Sequence, residues 1–240
     1  MHDQPPLVTM PIPIRSLDLR LVPGNWTFAE AEKTRIKEHW RKLADENPRI
    51  WNGDVLICSG TRLENKVLSG QFIKTDYASF VAWRDWGWPD KTVSNCFGSA
   101  AVLSSDGALL YGRMGSHTLN SGKLYPPGGS LEMRDVRPDG QVDVIGSLTR
   151  ELEEETGLKA ADAKKGELLA IFEGPRLSVA QVFHFAERAD ALADQVRRYL
   201  PSAHEEELSD IEIVGSTSQI DSTIPAYAIA LAQYLVGEPR

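Results

Sequence analysis

The segment TRELEEETGL, residues 149–158, is the sequence feature that most restricts the fold, because it holds four glutamates within five positions. Like charges this close on a helix repel one another, so the helix needs a packed side and a source of positive charge. Gly157 stands where a helix-ending residue is expected. The pattern predicts an amphipathic helix over 144–156, and its apolar stripe consists of Val144, Ile145, Leu148 and Leu152.

Three of the glutamates share one side of this predicted helix. At about 100° per residue, Glu154 and Glu155 lie within roughly 60° of Glu151, whereas Glu153 points away. A solvated helix with an Arg150–Glu154 ion pair is the ordinary alternative. However, negative charge near the carboxyl end of a helix opposes the helix dipole. A Mg²⁺ ion would relieve both penalties, because it prefers carboxylate oxygens and keeps waters that bridge to phosphate.

The composition favours an ordered protein of one large or two small domains, with 240 residues and 42% hydrophobic content. The 26 basic and 34 acidic residues give a charge of −8, which disfavours long nucleic acids and anionic membranes as partners. A small phosphate ligand is still compatible with this charge. Cys58 and Cys96 show no metal-ligand spacing. With no secretion signal or 20-residue apolar run, we expect reduced thiols and a cytoplasmic protein.

Residues 1–92 are predicted to form an amino-terminal α+β extension. Its proline-rich start precedes a helix that begins with a capping box of Thr27 and Glu30. Two strands follow, at 53–59 and 66–74. Trp83, Trp86 and Trp88 then occur within six positions. These indoles could stack on a nucleobase or, as aromatic side chains more often do, provide packing.

Residues 93–240 are predicted to form a second domain, which begins with a hairpin that turns at Asp106–Gly107. The motif KLYPPGGSLE, the acidic helix, two strands, a helical segment, a short strand and an apolar last helix follow. Strands and helices mix without strict βαβ alternation. This order predicts an α+β fold in which helices pack on a mixed sheet.

The glycine loop and the acidic helix together resemble the Nudix hydrolase family, whose signature is G-x5-E-x7-R-E-U-x-E-E-x-G-U, where U is a bulky apolar residue. Gly129 fits the opening glycine. The second half matches without a gap through Arg150, Glu151, Leu152, Glu154, Glu155, Gly157 and Leu158. The resemblance covers roughly residues 93–235. It implies a Nudix-type α/β/α sandwich with a mixed sheet, preceded by the amino-terminal extension.

The middle of the motif departs from the family pattern. Five residues separate Gly129 from Asp135, where the family has glutamate, and Arg150 follows after 14 residues rather than seven. The loop is therefore expanded by seven residues. Counting back from Arg150 places Val142 at the glutamate position. Asp135 or Asp143 could replace that carboxylate, the carboxylate could be missing, or Asp143 could cap the helix.

The resemblance implies hydrolysis of the diphosphate bond of a nucleoside diphosphate linked to another moiety, with Mg²⁺ or Mn²⁺ as the cofactor. A nucleotide sugar or a related nucleotide is favoured, and coenzyme A, dinucleotides and oxidised nucleotides are the alternatives. The implied metal ligands are Glu151, Glu154, Glu155 and the Gly128 carbonyl. Glu151, Glu154 and Arg150 are the candidate catalytic residues, Arg150 as the residue that orients a glutamate. The alternative is an inactive module that binds a nucleotide or a protein partner.

The general base and the substrate contacts are sought outside the acidic helix. Glu206, within HEEEL at 204–208, is a candidate base, and a solvated turn explains the same residues. Arg113 and His117 could contact phosphate, and Trp86 could contact the base; surface or packing roles are the alternatives. The sequence leaves the oligomeric state open, with a homodimer among the options.

Overall fold

The computed structural model describes residues 8–203, 207–216 and 221–237. Its strands are β1 (Ile12–Ile14), β2 (Ser16–Leu21), β3 (Asp54–Glu64), β4 (Val67–Asp76), β5 (Val93–Leu103), β6 (Leu109–Met114), β7 (Leu124–Tyr125), β8 (Lys164–Glu173), β9 (Arg176–His184) and β10 (Leu208–Val214). Its α-helices are α1 (Thr27–Ala31), α2 (Lys33–Glu46), α3 (Tyr77–Asp85), α4 (Val144–Thr156), α5 (Ala189–Tyr199) and α6 (Ala226–Leu235). None of the helices in these ranges has the length and hydropathy that crossing a bilayer requires.

The chain divides into two compact units. We call the first the acidic-helix unit, and it comprises residues 1–14, 97–129 and 145–240. We call the second the amino-terminal unit, and it comprises residues 15–96 and 130–144. The expected domain boundary between residues 92 and 93 stays a prediction.

The acidic-helix unit is built on a sheet in which β1, β8, β9 and β5 are neighbours in that order. Strand β6 pairs with β5 and β7 on one side and with β10 on the other. Pro13 lies in β1, at the end of this order, where a residue without an amide donor is tolerated. The β5–β6 hairpin turns at Gly107, whose φ of +82° suits glycine.

Both faces of this sheet are buried, because successive side chains of a strand point to opposite faces. Leu109 and Tyr111 pack in one core with residues of α6, including Leu231. Leu110 and Val102, which oppose each other on the other face, are also fully buried. Helix α5 packs against β10 and β6 and contributes no residue to the α6 core. The expected layers of helix, sheet and helix are therefore confirmed for this unit.

The amino-terminal unit has a mixed sheet, with β2 and β4 parallel and β3 antiparallel to β4 and β5. The expected strands at 53–59 and 66–74 are confirmed by β3 and β4. The predicted capping box is wrong, because the helix is capped at Trp26 without a side-chain hydrogen bond and Thr27 is already helical. Glu30 instead accepts a hydrogen bond from Asn25. Helix α3 was not predicted, and it buries Trp83 completely.

The expanded loop, defined here as residues 130–143, folds within the amino-terminal unit. The amide of Val142 donates to the Leu19 carbonyl over 2.8 Å, and the amide of Leu21 donates to the Gly140 carbonyl over 2.9 Å. Near the start of the loop, the Leu131 carbonyl accepts a hydrogen bond from the amide of Leu56 in β3. The extra residues are thus bonded to β2 and β3 as ordered structure.

Candidate functional site

Helix α4 provides the framework of the candidate site, and its bounds of Val144–Thr156 confirm the predicted helix. Leu148 and Leu152 are fully buried, so the apolar stripe faces the core as expected. The helix ends at Gly157, which has a φ of +70° and donates its amide to the Glu153 carbonyl over 2.9 Å. Glycine adopts this left-handed conformation without the steric cost that other residues incur.

The four glutamates of α4 differ in their exposure to water. Glu155 is buried, with 6% of its surface exposed, and the side chain of Glu151 is 13% exposed. The side chains of Glu154 and Glu153 are 44% and 56% exposed. Glu153 faces water near Lys159, as its helical angle predicts. Two carboxylates therefore point inward, and Glu154 lies at the boundary with solvent.

The two inward carboxylates meet the glycines of the PPGG loop. The amide of Gly128 donates a hydrogen bond to Glu155 Oε2 over 3.1 Å. A Cβ at Gly129 would lie 3.3 Å from Glu151 Cδ, so the Glu151 carboxyl group packs against that residue. A Cβ at Gly128 would lie 2.2 Å from the Gly98 carbonyl oxygen, a distance that only glycine permits. Two acids one turn apart thus converge on two consecutive glycines.

Arg150 supplies positive charge within the acidic cluster. Its Nη2 atom lies 3.2 Å from Glu151 Oε1, and its Nε atom lies 3.8 Å from Glu154 Oε2. The same Nη2 donates to Ser147 Oγ over 3.3 Å. The i,i+4 ion pair of the ordinary interpretation is therefore present, together with a second pair. This arginine offsets part of the repulsion among the glutamates, and the Gly128 amide stabilises Glu155.

The donor atoms at this site suit a hard divalent cation. Carboxylate oxygens from Glu151 and Glu155 adjoin the Gly128–Gly129 loop, and Mg²⁺ and Mn²⁺ prefer such oxygen ligands. Within the ranges that the structure describes, no group of three or more His, Cys, Asp or Glu side chains is arranged as a metal site. Glu154 is held toward Arg150. The metal set of Glu151, Glu154, Glu155 and Gly128 therefore stays a prediction.

The two aspartates proposed to replace the early glutamate have local partners in the expanded loop. Asp135 is 3% exposed and accepts a hydrogen bond from the Glu132 amide over 2.9 Å. Its own carbonyl accepts from the amide of Asp143 over 2.7 Å. The Asp143 carboxylate pairs with Arg137 at 2.8 Å. Both aspartates thus help to fold the loop, and a role in metal binding stays a prediction for each.

The structure places the predicted substrate contacts in different surroundings. Arg113 forms an ion pair with Glu212 over 2.8 Å, which links β6 to β10. Hydrogen bonds from Thr223, together with the charges of Arg113 and Lys123, lower the pKa of Asp221. Arg113 therefore lies among charged groups of both signs.

His117 follows β6, with its ring beside Gly115. Trp86 lies in the amino-terminal unit, where the Arg35 guanidinium stands 4.4 Å from the centre of its ring. The ring of Phe28 is 5.9 Å from that of Trp86. Glu206, the candidate base, lies outside the described residues. Substrate-binding roles for Arg113, His117 and Trp86 stay predictions.

Two residues that contact the acidic cluster or the end of α4 were not predicted to matter. Ser147, 1% exposed, lies one turn before Arg150 and accepts its hydrogen bond. Its i−3 spacing from Arg150 is a signal that the sequence offers. Tyr199, at the end of α5, donates from its hydroxyl group to the Glu154 carbonyl over 3.1 Å. No spacing rule connects two residues 45 positions apart, so only the tertiary structure reveals this contact.

Comparisons with known proteins give similarities at the level of solved structures alone. No family model and no curated protein matches the chain. A MutT protein from Methanosarcina mazei Go1 is 21% identical, with a TM-score of 0.38, over 59% of this chain and 92% of that one. A MutT NUDIX hydrolase from Burkholderia pseudomallei is 17% identical, with a TM-score of 0.38, over 60% of this chain and 98% of that one.

A third similar structure is a bifunctional NMN adenylyltransferase/ADP ribose pyrophosphatase from Francisella tularensis. It is 18% identical, with a TM-score of 0.40, over 66% of this chain and 45% of that one. Because the TM-scores of these structures are below 0.5, they carry no argument about family, activity or substrate, which must rest on the residues of this chain.

Proposed function

We propose that the protein is a Nudix-type pyrophosphohydrolase that uses Mg²⁺ or Mn²⁺ to hydrolyse the diphosphate bond of a nucleoside diphosphate derivative. The observation that carries the proposal is the convergence of Glu151 and Glu155 on Gly128 and Gly129. Acids placed one turn apart on a helix, beside a glycine loop, provide oxygen ligands of the kind that a hard divalent cation prefers. The match of Arg150 and the three glutamates to the family signature supports the same reaction.

The residues divide the work of this reaction between binding and proton transfer. Glu151, Glu154, Glu155 and the Gly128 carbonyl would hold the cation. A divalent ion bound there would neutralise the diphosphate and lower the pKa of a water molecule. Arg150 contacts Glu151 and holds its carboxylate in place. Glu154, the most exposed of the three ligands, or Glu206 would accept the proton from the attacking water.

The substrate is proposed at the level of its chemistry. A nucleotide sugar is such a substrate, because its diphosphate links the nucleoside to a sugar. Arg113 and His117 are the candidates for phosphate contacts, and Trp86 is the candidate for stacking on a base. The cysteines Cys58 and Cys96 are free and buried, and burial raises the pKa of both thiols. Unpaired thiols suit the cytoplasm, which is the compartment that we propose.

A screen of diphosphate substrates tests the proposal. The wild-type protein is incubated with nucleotide sugars, dinucleotides and coenzyme A in Mg²⁺, and release of a nucleoside monophosphate or another phosphomonoester is measured before and after chelation. We expect turnover that chelation abolishes. Glu155→Gln and Glu154→Gln should each reduce turnover by about 10²-fold or more, because each removes charge at the cation.

Glu153→Gln is the matched control, since Glu153 belongs to the same helix and faces water. It should retain turnover within about twofold, as expected for a surface substitution. Equal losses in all three variants would indicate damage to the helix rather than to a metal site. Full activity of Glu154→Gln and Glu155→Gln would contradict the assignment of the ligands.

An inactive module that binds a nucleotide is the second candidate function. The departure at the early glutamate favours it, because Val142 occupies the position counted back from Arg150 and Asp143 is paired with Arg137. Tight nucleotide binding, measured by calorimetry, without turnover across the panel would support the module. Turnover that depends on Mg²⁺ would exclude it.

A further inference from the structure

We propose that Tyr199 is a positioning residue for the metal site, because it fixes the last turn of α4, which carries Glu154 and Glu155. The catalytic consequence rests on the proposed function, whereas the positioning itself is a property of the fold. Tyr199 belongs to α5, 45 positions from Glu154 in the chain. Glu154, Gly157 and Ser202, which Tyr199 contacts, lie in the acidic-helix unit, as Tyr199 does.

The first contact is a hydrogen bond at the carboxyl end of α4. The last four carbonyls of a helix lack partners within the helix and need others. Gly157 supplies its amide to the Glu153 carbonyl, and the Tyr199 hydroxyl group donates to the Glu154 carbonyl over 3.1 Å. The backbone of Glu154, adjacent to that of Glu155, is therefore held by a side chain from another helix.

The second contact is made by the ring of Tyr199. A Cβ at Gly157 would lie 2.6 Å from both Cγ and Cδ2 of Tyr199, so the ring lies directly against the Gly157 backbone. Gly157 therefore needs to be glycine for two reasons, its positive φ and the space that this ring occupies. The ring and the hydroxyl group of one residue thus contact consecutive parts of the helix end.

Tyr199 is itself held by the rest of the unit. Its carbonyl accepts a hydrogen bond from Ser202 Oγ over 2.8 Å. Two residues earlier, Arg197 binds Asp210 over 3.0 Å and the Ile211 carbonyl over 2.8 Å. These bonds attach the end of α5 to β10. The backbone that carries Tyr199 is therefore bonded both to the turn after α5 and to β10.

The last turn of α4 is consequently supported on two sides. The carboxylate of Glu155 is bound to the Gly128 amide, and the backbone of Glu154 is bound to Tyr199. A metal site whose backbone is held in place loses less conformational freedom when its ligands close on the ion. Loss of the Tyr199 hydroxyl group should therefore weaken metal binding and leave the chemistry at saturating metal unchanged.

Tyr199→Phe tests this inference, because phenylalanine keeps the ring against Gly157 and removes only the hydroxyl group. We expect the Mg²⁺ concentration for half-maximal turnover to rise about three- to tenfold, the effect of one hydrogen bond. The kcat at saturating Mg²⁺ should stay within about twofold. Mn²⁺ binding, measured by electron paramagnetic resonance without substrate, should weaken by the same factor.

The matched control is Tyr234→Phe. Tyr234 also donates from its hydroxyl group to a glutamate, Glu167, over 3.2 Å, and it lies on α6. Its substitution removes a tyrosine hydrogen bond elsewhere in the same unit, made to the Glu167 carboxylate rather than to a backbone carbonyl, so Mn²⁺ binding should not change. Hydrogen exchange at the amides of Gly157 and Leu158 should become faster in Tyr199→Phe alone.

The outcomes separate this inference from the proposed function. Faster exchange and weaker Mn²⁺ binding in Tyr199→Phe, with no turnover by the wild-type protein on any substrate, would retain the positioning role and reject the enzyme. Unchanged Mn²⁺ binding in Tyr199→Phe would overturn the positioning role, whether or not exchange is faster. Absence of Mn²⁺ binding by the wild-type protein would also overturn it.

Discussion

The amide of Gly128 donates a hydrogen bond to the carboxylate of Glu155 across 3.1 Å, and this bond joins the PPGG loop to the last turn of α4. On its other side, Gly128 adjoins the backbone of Gly98. The loop is therefore fixed between a strand and a buried acid. The glycines of this loop offer the most direct tests of how the candidate site is built.

Gly128→Ala should destabilise the protein. The new Cβ would lie 2.2 Å from the Gly98 carbonyl oxygen, and a backbone atom in a sheet cannot move away cheaply. We expect the free energy of unfolding to fall by about 2 kcal/mol or more, as for overpacking in a core. Urea denaturation monitored by circular dichroism measures this loss. An unchanged midpoint would show that the loop has room for a side chain.

Gly129→Ala should instead affect the metal site. Its Cβ would stand 3.3 Å from Glu151 Cδ, a tight contact that the carboxylate relieves by moving a few tenths of an ångström. We expect a loss of stability of less than about 1 kcal/mol. Mn²⁺ affinity should fall several-fold, because ligand geometry at a metal site tolerates little displacement. Gly128→Ala should therefore mainly lower stability, whereas Gly129→Ala should mainly lower Mn²⁺ affinity. Equal losses of stability in the two variants would contradict this distinction.

Gly157→Ala should cost more stability than Gly107→Ala. Both glycines have positive φ, +70° and +82°, so both substitutions introduce similar backbone strain. Among the described residues other than its two neighbours in the chain, no heavy atom lies within 4 Å of a Cβ at Gly107, whereas the Tyr199 ring lies 2.6 Å from a Cβ at Gly157. We expect losses of about 1 kcal/mol for Gly107→Ala and about 2–3 kcal/mol for Gly157→Ala.

Urea denaturation of both variants, and of each combined with Tyr199→Ala, checks this difference. Alanine lacks the Cγ and Cδ2 atoms that a Cβ at residue 157 would meet, so it should relieve the added strain there and have no such effect at residue 107. Additive losses in the Gly157 pair would show that the ring and the glycine are independent.

Asp90→Asn should change the acid sensitivity of the amino-terminal unit. Burial of Asp90 acts to raise its pKa, but hydrogen bonds from Thr92 and from the Trp26 indole lower the pKa below the usual 3.8. The ionised form of Asp90 is therefore more favourable in the folded protein than in the unfolded chain. Its stabilisation is complete above pH 3.8 and is lost as the pH falls through the lower folded value.

We expect Asp90→Asn to lose about 0.5–1 kcal/mol at pH 7, since its amide cannot accept the Trp26 hydrogen bond without turning away from Thr92. The difference from the wild-type protein should shrink as the pH falls below 3.8. Urea midpoints between pH 7 and pH 3 measure it. A constant difference over that range would assign the loss to packing.

Local patterns in the sequence were sufficient to predict α4 and the β5–β6 hairpin. The apolar stripe that ends in Leu152, and the glycine at 157, fix the helix because both act within a few residues. The layers of helix, sheet and helix also follow from the order of elements. In contrast, α3 escaped prediction because its residues are apolar on nearly all sides, so no helical stripe stands out around Trp83.

The candidate site was only partly predictable, because several of its contacts join residues that are far apart in the sequence. Signature spacing places Glu151 and Glu155 on one side of a helix, but it does not show that they meet Gly128 and Gly129. The support from Tyr199 joins distant parts of the chain. The roles of Asp135 and Asp143 depend on hydrogen bonds that close the loop, which spacing alone does not specify.

The bonds between the expanded loop and β2 also cover an edge of the sheet. Strand β2 ends the order of its sheet, and an uncovered terminal strand offers its amides and carbonyls as a template for aggregation. Leu19 and Leu21 engage these groups with Val142 and Gly140. Shortening the loop to the family length would therefore leave these amides and carbonyls of β2 unpaired and promote self-association through this edge.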